Sequence, residues 1–125
     1  MAEVGELPLD TGPGDRVADR IRDEAVTLHA PHLLGIEVAQ VLRRLEAAGE
    51  LSSARAAQAL GDLQALDVDR YDHELLLPRI WNLRKNLTAY DAAYVALAEL
   101  LDAPLLTFDR RLAGAPGNRA VVELL

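Results

Sequence analysis

Three acidic residues stand where their carboxylates could act together. Glu37 lies on the apolar stripe of one predicted helix, and Asp91 begins the apolar stripe of another. Asp109 ends a short apolar run that is typical of a buried strand. A carboxylate on an apolar face is unfavourable unless it is paired, protonated or bound to a metal ion. The three positions are therefore candidates for one shared site.

Each of these acids also has a simpler interpretation. Thr88 is a good helix N-cap, and Asp91 stands three residues later, where a capping-box acid belongs. Asp109 could cap the short helix that follows it. Glu37 could reach solvent or an ion-pair partner from its stripe. The shared site is favoured because each of the three acids lies on an apolar stripe or at the end of an apolar run.

The elements that would position the acids alternate between helix and strand. Periodicity, caps and turn residues predict helices over 15–24, 32–48, 53–65, 73–85, 88–101 and 110–113, and strands over 26–29, 67–71, 103–109 and 120–124. Residues 1–14 hold three Gly and two Pro, which predicts an irregular segment rather than a strand. This order predicts a single α/β domain over residues 1–125 with a mostly parallel sheet.

Convergence at one sheet edge would give the acids a chemistry. Ligands of open parallel sheets gather at the carboxyl ends of the strands, where Asp109 is placed and where the helices of Glu37 and Asp91 begin. Three carboxylates that close repel one another, and a hard divalent cation such as Mg²⁺ or Mn²⁺ removes the repulsion. Such an ion activates water in phosphoryl transfer. The residues alone therefore predict a metal-dependent phosphodiester hydrolase.

Composition excludes several other classes of protein. The 125 residues include no Cys, which rules out disulfides, thiolate catalysis and zinc-finger sites. No apolar run approaches the roughly 20 residues of a membrane-spanning helix, so we expect a cytoplasmic protein without a membrane partner. The net charge of −7 is not typical of a nucleic-acid-binding protein, although a bound metal ion would reverse the local field.

Three blocks of the sequence resemble the PIN-domain family, and within it the VapC-type toxin ribonucleases. The blocks run from His29 to Val38, from Leu87 to Ala98 and from Leu105 to Leu112. The resemblance implies a compact three-layer α/β/α fold, one or two Mg²⁺ or Mn²⁺ ions, and endonucleolytic cleavage of RNA. It also implies a cognate VapB-like antitoxin and a homodimer of the toxin.

The resemblance also implies roles for individual residues. Glu37, Asp91 and Asp109 match the family acids that hold the metal ion and carry catalysis. Thr107 matches the polar residue often found near the last acid, and we expect it to contact the substrate.

Basic residues near the acids are expected to bind the RNA substrate. Arg84, Lys85 and Arg110 could contact phosphates, although charges at helix ends also favour the helix dipole without any ligand. Trp81 is expected to pack in the core or at its rim. Tyr90 and Tyr94 are also expected in the core or at its rim rather than as surfaces for base stacking. The three histidines are expected to pack inside the fold or to face solvent.

The N-terminus departs from the family pattern. The family opens with a hydrophobic strand that ends in Asp, whereas residues 7–9 before Asp10 and Thr11 form a short run broken by Pro. We therefore expect the N-terminal strand and its metal ligand to be absent, because the chain begins too late. This supports an alternative function, a catalytically degenerate PIN-like protein that titrates an antitoxin. A phospho-receiver domain is set aside because the only Lys, Lys85, does not end a late strand.

Overall fold

The computed structural model describes residues 2–5, 26–107, 109–117 and 119–124. Of residues 2–5 and Ala113 it describes the backbone only. The helix predicted over 15–24 and the pair Asp10 and Thr11 lie outside the described residues.

Five parallel strands form the sheet. They are β1 (Ala2–Gly5), β2 (Thr27–Pro31), β3 (Val68–Tyr71), β4 (Leu105–Thr107) and β5 (Val122–Leu124), in the order β3-β2-β1-β4-β5. The strand predicted over 67–71 is β3, at the edge of the sheet. The strand predicted over 26–29 continues beyond its predicted end, because Ala30 lies opposite Arg70 and Pro31 opposite Tyr71 in β3. Proline lacks only the backbone donor, so it can still occupy the last position of a strand.

The N-terminal segment holds a strand, contrary to the prediction that residues 1–14 are irregular and that the first strand of the fold is absent. β1 lies in the middle of the sheet, where Val4 pairs with His29 of β2 and with Leu105 of β4. This pairing is non-local and comes from two neighbours, so local Gly and Pro content did not predict it. The prediction that the metal ligand after this strand is absent concerns residues 6–25, which lie outside the described residues.

The helices of the described residues carry the caps that the sequence predicts. They are α1 (Leu33–Ala47), α2 (Ser53–Ala65), α3 (Leu77–Asn82), α4 (Ala89–Leu101) and α5 (Arg110–Ala113). The Ser52 hydroxyl accepts the N–H of Arg55 at 3.1 Å, and the Thr88 hydroxyl accepts that of Asp91 at 3.2 Å. The helix predicted over 73–85 is a 3₁₀ turn (Glu74–Leu76) followed by α3, with Pro78 in the first turn of α3. No helix among these residues is long and apolar enough to cross a membrane.

Two clusters of buried apolar side chains pack the helices onto the sheet. One joins α1 and α2 to β2 and β3, and the other surrounds α4, which is buried from residue 92 to residue 98. Leu28 and Ala30 are two residues apart in β2, so they lie on the same face of the sheet, and both belong to the first cluster. Helix α4 contacts β1, β2 and β4. The predicted three-layer α/β/α arrangement is therefore confirmed.

An ion pair joins α3 to the end of α4 that lies farthest from Asp91. The Arg79 guanidinium donates two hydrogen bonds to Glu99, at 2.6 and 3.0 Å. It also donates to the carbonyl of Gly117 at 3.0 Å, and Glu99 accepts the backbone N–H of Arg119 at 2.6 Å. The hydrogen bonds from Arg79 lower the pKa of the Glu99 carboxyl despite its partial burial.

We expect the substitution Glu99→Gln to lower the free energy of unfolding at neutral pH by about 1–3 kcal/mol, because it removes a charge-assisted bidentate pair. The pKa of Glu99 is lower in the folded chain than in the unfolded one. Its stabilising effect is therefore complete above the unfolded-state pKa and is lost as the pH falls through the folded-state pKa. Urea denaturation across this pH range should show the two proteins converge in acid.

The control for this substitution is Glu50→Gln, at an exposed residue after α1. This variant should match the wild-type protein at every pH. A Glu99→Gln protein as stable as the wild type at neutral pH would show that the ion pair contributes nothing.

Candidate active site

Glu37 lies in the second turn of α1 and is held by a tyrosine from another helix. The neighbouring Leu34 and Val38 are buried in the first cluster, and Glu37 itself is half-buried. The hydroxyl of Tyr94, a fully buried residue of α4, donates a hydrogen bond of 2.6 Å to Glu37 Oε1. Burial raises the pKa of Glu37, the Tyr94 hydroxyl opposes this, and the charge of Asp91 raises it further. The side chain is therefore fixed in position and holds its proton more strongly than a free glutamate.

Asp91 lies in the first turn of α4, one turn before Tyr94. Thr88 is the N-cap of this helix, and its hydroxyl accepts the backbone N–H of Asp91. The cap therefore fixes the position of Asp91 three residues later. Burial raises the pKa of Asp91, and the negative charge of Asp109 raises it further. The hydroxyl of Thr88 and the charge of Arg111 act in the opposite direction. Asp91 can therefore lie in the capped first turn of the helix and still belong to a group of acids.

Asp109 follows β4 and caps α5, as its simpler interpretation predicted. Its carboxylate accepts the N–H of Arg111 at 2.8 Å, and the guanidinium of Arg111 lies 3.3 Å from Oδ2. These hydrogen bonds lower the pKa of Asp109, which is therefore the most readily ionised of the three acids. Thr107 completes this arrangement, because its hydroxyl accepts the backbone N–H of Asp109 at 3.0 Å.

The three acids form an electrostatic group of two linked pairs, Glu37 with Asp91 and Asp91 with Asp109. Asp91 is the middle member, since its charge acts on Glu37 and it is itself acted on by Asp109. Within residues 26–107, 109–117 and 119–124, no three His, Cys, Asp or Glu side chains form a ready-made metal site. The donors nevertheless have the chemistry that a hard cation requires, because all are carboxylate oxygens and two have raised pKa values that a positive charge would reverse.

The residues predicted to bind substrate differ in exposure. Arg84, Lys85 and Arg110 all face solvent, so a polyanion could reach them. Thr107 is fully buried, and its hydroxyl is used by the Asp109 backbone. The structure thus gives Thr107 a role in positioning Asp109, and burial does not favour its predicted contact with substrate.

Two residues that sequence reasoning did not assign also position the acids. Arg111 pairs with Asp109, which the sequence could have suggested, because the two are only two residues apart. His73 accepts the N–H of Leu33 at 3.0 Å through Nε2 and so satisfies the first turn of α1, where His32 makes no side-chain cap. That contact spans 40 residues of sequence and has no local signal. The expectation that the histidines only pack or face solvent is therefore incomplete.

Comparison with known proteins finds matches over most of the chain. Residues 8–118 match the PIN domain family model. The chain is 49% identical over 98 residues to Ribonuclease VapC1 of Mycobacterium tuberculosis, a match that covers 78% of this chain and 74% of that relative.

Two solved structures share the fold at low identity. PAE2754 from Pyrobaculum aerophilum superposes with a TM-score of 0.71 at 19% identity and covers 97% of this chain and 82% of its own. VapBC2 from Rickettsia felis, solved with a DNA fragment from the promoter of the pair, gives a TM-score of 0.70 at 11% identity. That match covers 100% of this chain and 99% of the VapBC2 chain. At such identities the likeness concerns the fold.

We expect Tyr94→Phe to raise the pKa of Glu37 further and to destabilise the protein by about 1–2 kcal/mol, because it removes the hydroxyl that donates to a half-buried carboxylate. The titration of the Glu37 side-chain carbon by NMR reads the pKa, and urea denaturation reads the stability. Tyr90→Phe is the matched control, since Tyr90 is exposed. An unchanged Glu37 titration in Tyr94→Phe would mean that the hydrogen bond does not govern this carboxyl.

Proposed function

Because the chain belongs to the PIN-domain family and is a VapC-type protein, we propose that it is an endoribonuclease and the toxin of a toxin–antitoxin pair. The observation that carries this proposal is the electrostatic group of Glu37, Asp91 and Asp109, in a chain 49% identical to a protein named Ribonuclease VapC1. These three residues are the proposed catalytic residues. The reaction is hydrolysis of a phosphodiester bond within an RNA strand.

The proposed cofactor is Mg²⁺ or Mn²⁺, held by Glu37, Asp91 and Asp109. When bound, such an ion supplies charge stabilisation and a more acidic water molecule. Oxygen donors suit both ions, which prefer carboxylates and retain water ligands. Repulsion between neighbouring acids supports this proposal, because the charge of Asp91 disfavours ionisation of Glu37 and the charge of Asp109 disfavours ionisation of Asp91.

The surrounding residues prepare the carboxylates for this role. Tyr94 fixes the orientation of Glu37, and Thr107 fixes the backbone of Asp109. Arg111 keeps Asp109 ionised, so at least one strong oxygen donor is available at neutral pH. Because the pKa values of Glu37 and Asp91 are raised, these two carboxyls become protonated as the pH falls. A cation must displace those protons in order to bind. Metal binding and cleavage should therefore weaken in mild acid.

The proposed partners follow from the family. They are the RNA substrate, a cognate VapB-like antitoxin and a second copy of the chain, all in the cytoplasm. The fold likeness to VapBC2 of Rickettsia felis supports an antitoxin partner. Arg84, Lys85 and Arg110 are exposed and cationic, which supports contact with RNA phosphates.

A second candidate function is a degenerate PIN-like protein that binds an antitoxin without cutting RNA. The observation that favours it is the lack of a ready-made group of three metal ligands among the described residues. Antitoxin binding without metal binding would support this alternative.

We expect Asp91→Asn to reduce RNA cleavage by at least about 100-fold, because it removes the middle carboxylate of the group. The measurement is cleavage of a mixed pool of tRNA and rRNA with Mn²⁺ and with EDTA, alongside a check of the fold by circular dichroism. The wild-type protein should cut in Mn²⁺ and stop in EDTA.

Asp62→Asn is the matched control, at an exposed position of α2. It should cut like the wild-type protein. Equal cleavage by Asp91→Asn and wild type would contradict the assignment, and no cleavage of any RNA by the wild type would favour the degenerate alternative.

A further inference from the structure

Trp81 is the only tryptophan of the chain, and it faces solvent. It lies in α3, where its neighbour Ile80 is buried while Trp81 remains 66% exposed. The prediction that Trp81 packs in the core or at its rim is therefore wrong. A large aromatic ring in this position forgoes the burial that such side chains usually gain, and its face is accessible to another molecule.

A cation is already stacked on the Trp81 ring. The Arg84 guanidinium carbon lies 4.5 Å from the ring centroid, and Arg84 also donates a hydrogen bond of 2.9 Å to the Trp81 carbonyl. These two contacts fix the guanidinium against the indole. The ring and the charge therefore form one preformed surface with both an aromatic and a cationic component.

The same stretch of chain is cationic and leads to the acids. Between Glu74 and Asp91 the sequence has no Asp or Glu, in a chain with a net charge of −7. Lys85 is exposed beside Arg84, and Tyr90, 66% exposed, immediately precedes Asp91 in the first turn of α4. This stretch of chain is thus positive, carries two exposed aromatic rings and leads in sequence to Asp91.

We propose that Trp81, Arg84 and Lys85 form a platform for single-stranded RNA, on which a base stacks against Trp81 while Arg84 and Lys85 meet phosphates. The identity of the ligand as RNA rests on the proposed function. Single strands fit because aromatic rings can stack only on bases that are unpaired, and duplex RNA hides its base faces. Charge complementarity favours RNA over a second copy, because a two-fold interface would set this cationic surface against itself.

The single tryptophan allows a direct test. The full chain in EDTA is titrated with an unpaired, single-stranded oligoadenylate of about eight nucleotides, a length within the site sizes of single-strand binding proteins. Stacking should quench the fluorescence of Trp81, and a duplex of the same length should quench it far less. Affinity is measured separately by the anisotropy of end-labelled RNA, so that variants without tryptophan can be compared.

We expect Trp81→Ala to weaken binding of the oligoadenylate by roughly 5- to 150-fold, the usual range for loss of one stacked base. Trp81→Phe, which keeps an aromatic face, should lose less. Arg84→Gln and Lys85→Gln should each reduce the slope of log K against log salt by about 0.7. The matched controls are Val121→Ala and Arg55→Gln, at exposed positions elsewhere in the chain, and both should bind like the wild type.

The proposal is overturned if the oligoadenylate binds without changing Trp81 fluorescence, or if a folded Trp81→Ala protein keeps wild-type affinity. Loss of dimer or antitoxin binding in Trp81→Ala with unchanged RNA affinity would assign the surface to a protein instead, which also overturns it. The proposed function is tested separately. Quenching of Trp81 fluorescence without any RNA cleavage would support the platform and contradict the nuclease function. RNA cleavage without quenching of Trp81 fluorescence would support the nuclease function and contradict the platform.

Discussion

Burial of helix α4 is the constraint on which the other features depend. Residues 92–98 are buried without interruption, so the helix can lie only between the sheet and the elements that cover it. Asp91 lies just before this buried segment, next to other acids of the site. Glu99 lies just after the segment and pairs with Arg79. Tyr94 lies between them and reaches across to Glu37. One packed helix therefore fixes both the site and the ion pair that anchors its other end.

The surroundings of the three carboxylates affect their pKa values in different ways. Asp109 remains ionised because Arg111 pairs with it, while Glu37 and Asp91 respond to burial and to neighbouring charge by holding their protons more strongly. A group of this kind responds to an added cation, since the charge that binds one carboxylate also favours ionisation of the next.

Sequence reasoning predicted the features that depend on neighbouring residues. Caps at Ser52 and Thr88 and the capping role of Asp109 follow from residue types within one helical turn, and each is present. The buried stripe of α1 was predicted for the same reason, although its Val41 is 38% exposed.

Features that depend on distant residues were missed. Strand β1 is stabilised by pairing on both sides, and the contact of His73 with Leu33 joins residues 40 apart, so neither has a local signal. Trp81 is a different case. The predicted apolar stripe of Leu76, Ile80 and Leu83 already leaves it off the buried face, but the general tendency of aromatic side chains to be buried outweighed that pattern.

The measurement that tests the central claim most directly is the binding of Mn²⁺ to the intact chain by calorimetry, compared between the wild type and Glu37→Gln. If the three carboxylates act on one ion, the wild type binds Mn²⁺ and the variant binds it at least about tenfold more weakly, as expected for loss of a ligand. Equal Mn²⁺ affinity in the two proteins, or no binding by the wild type at neutral pH, would contradict the claim.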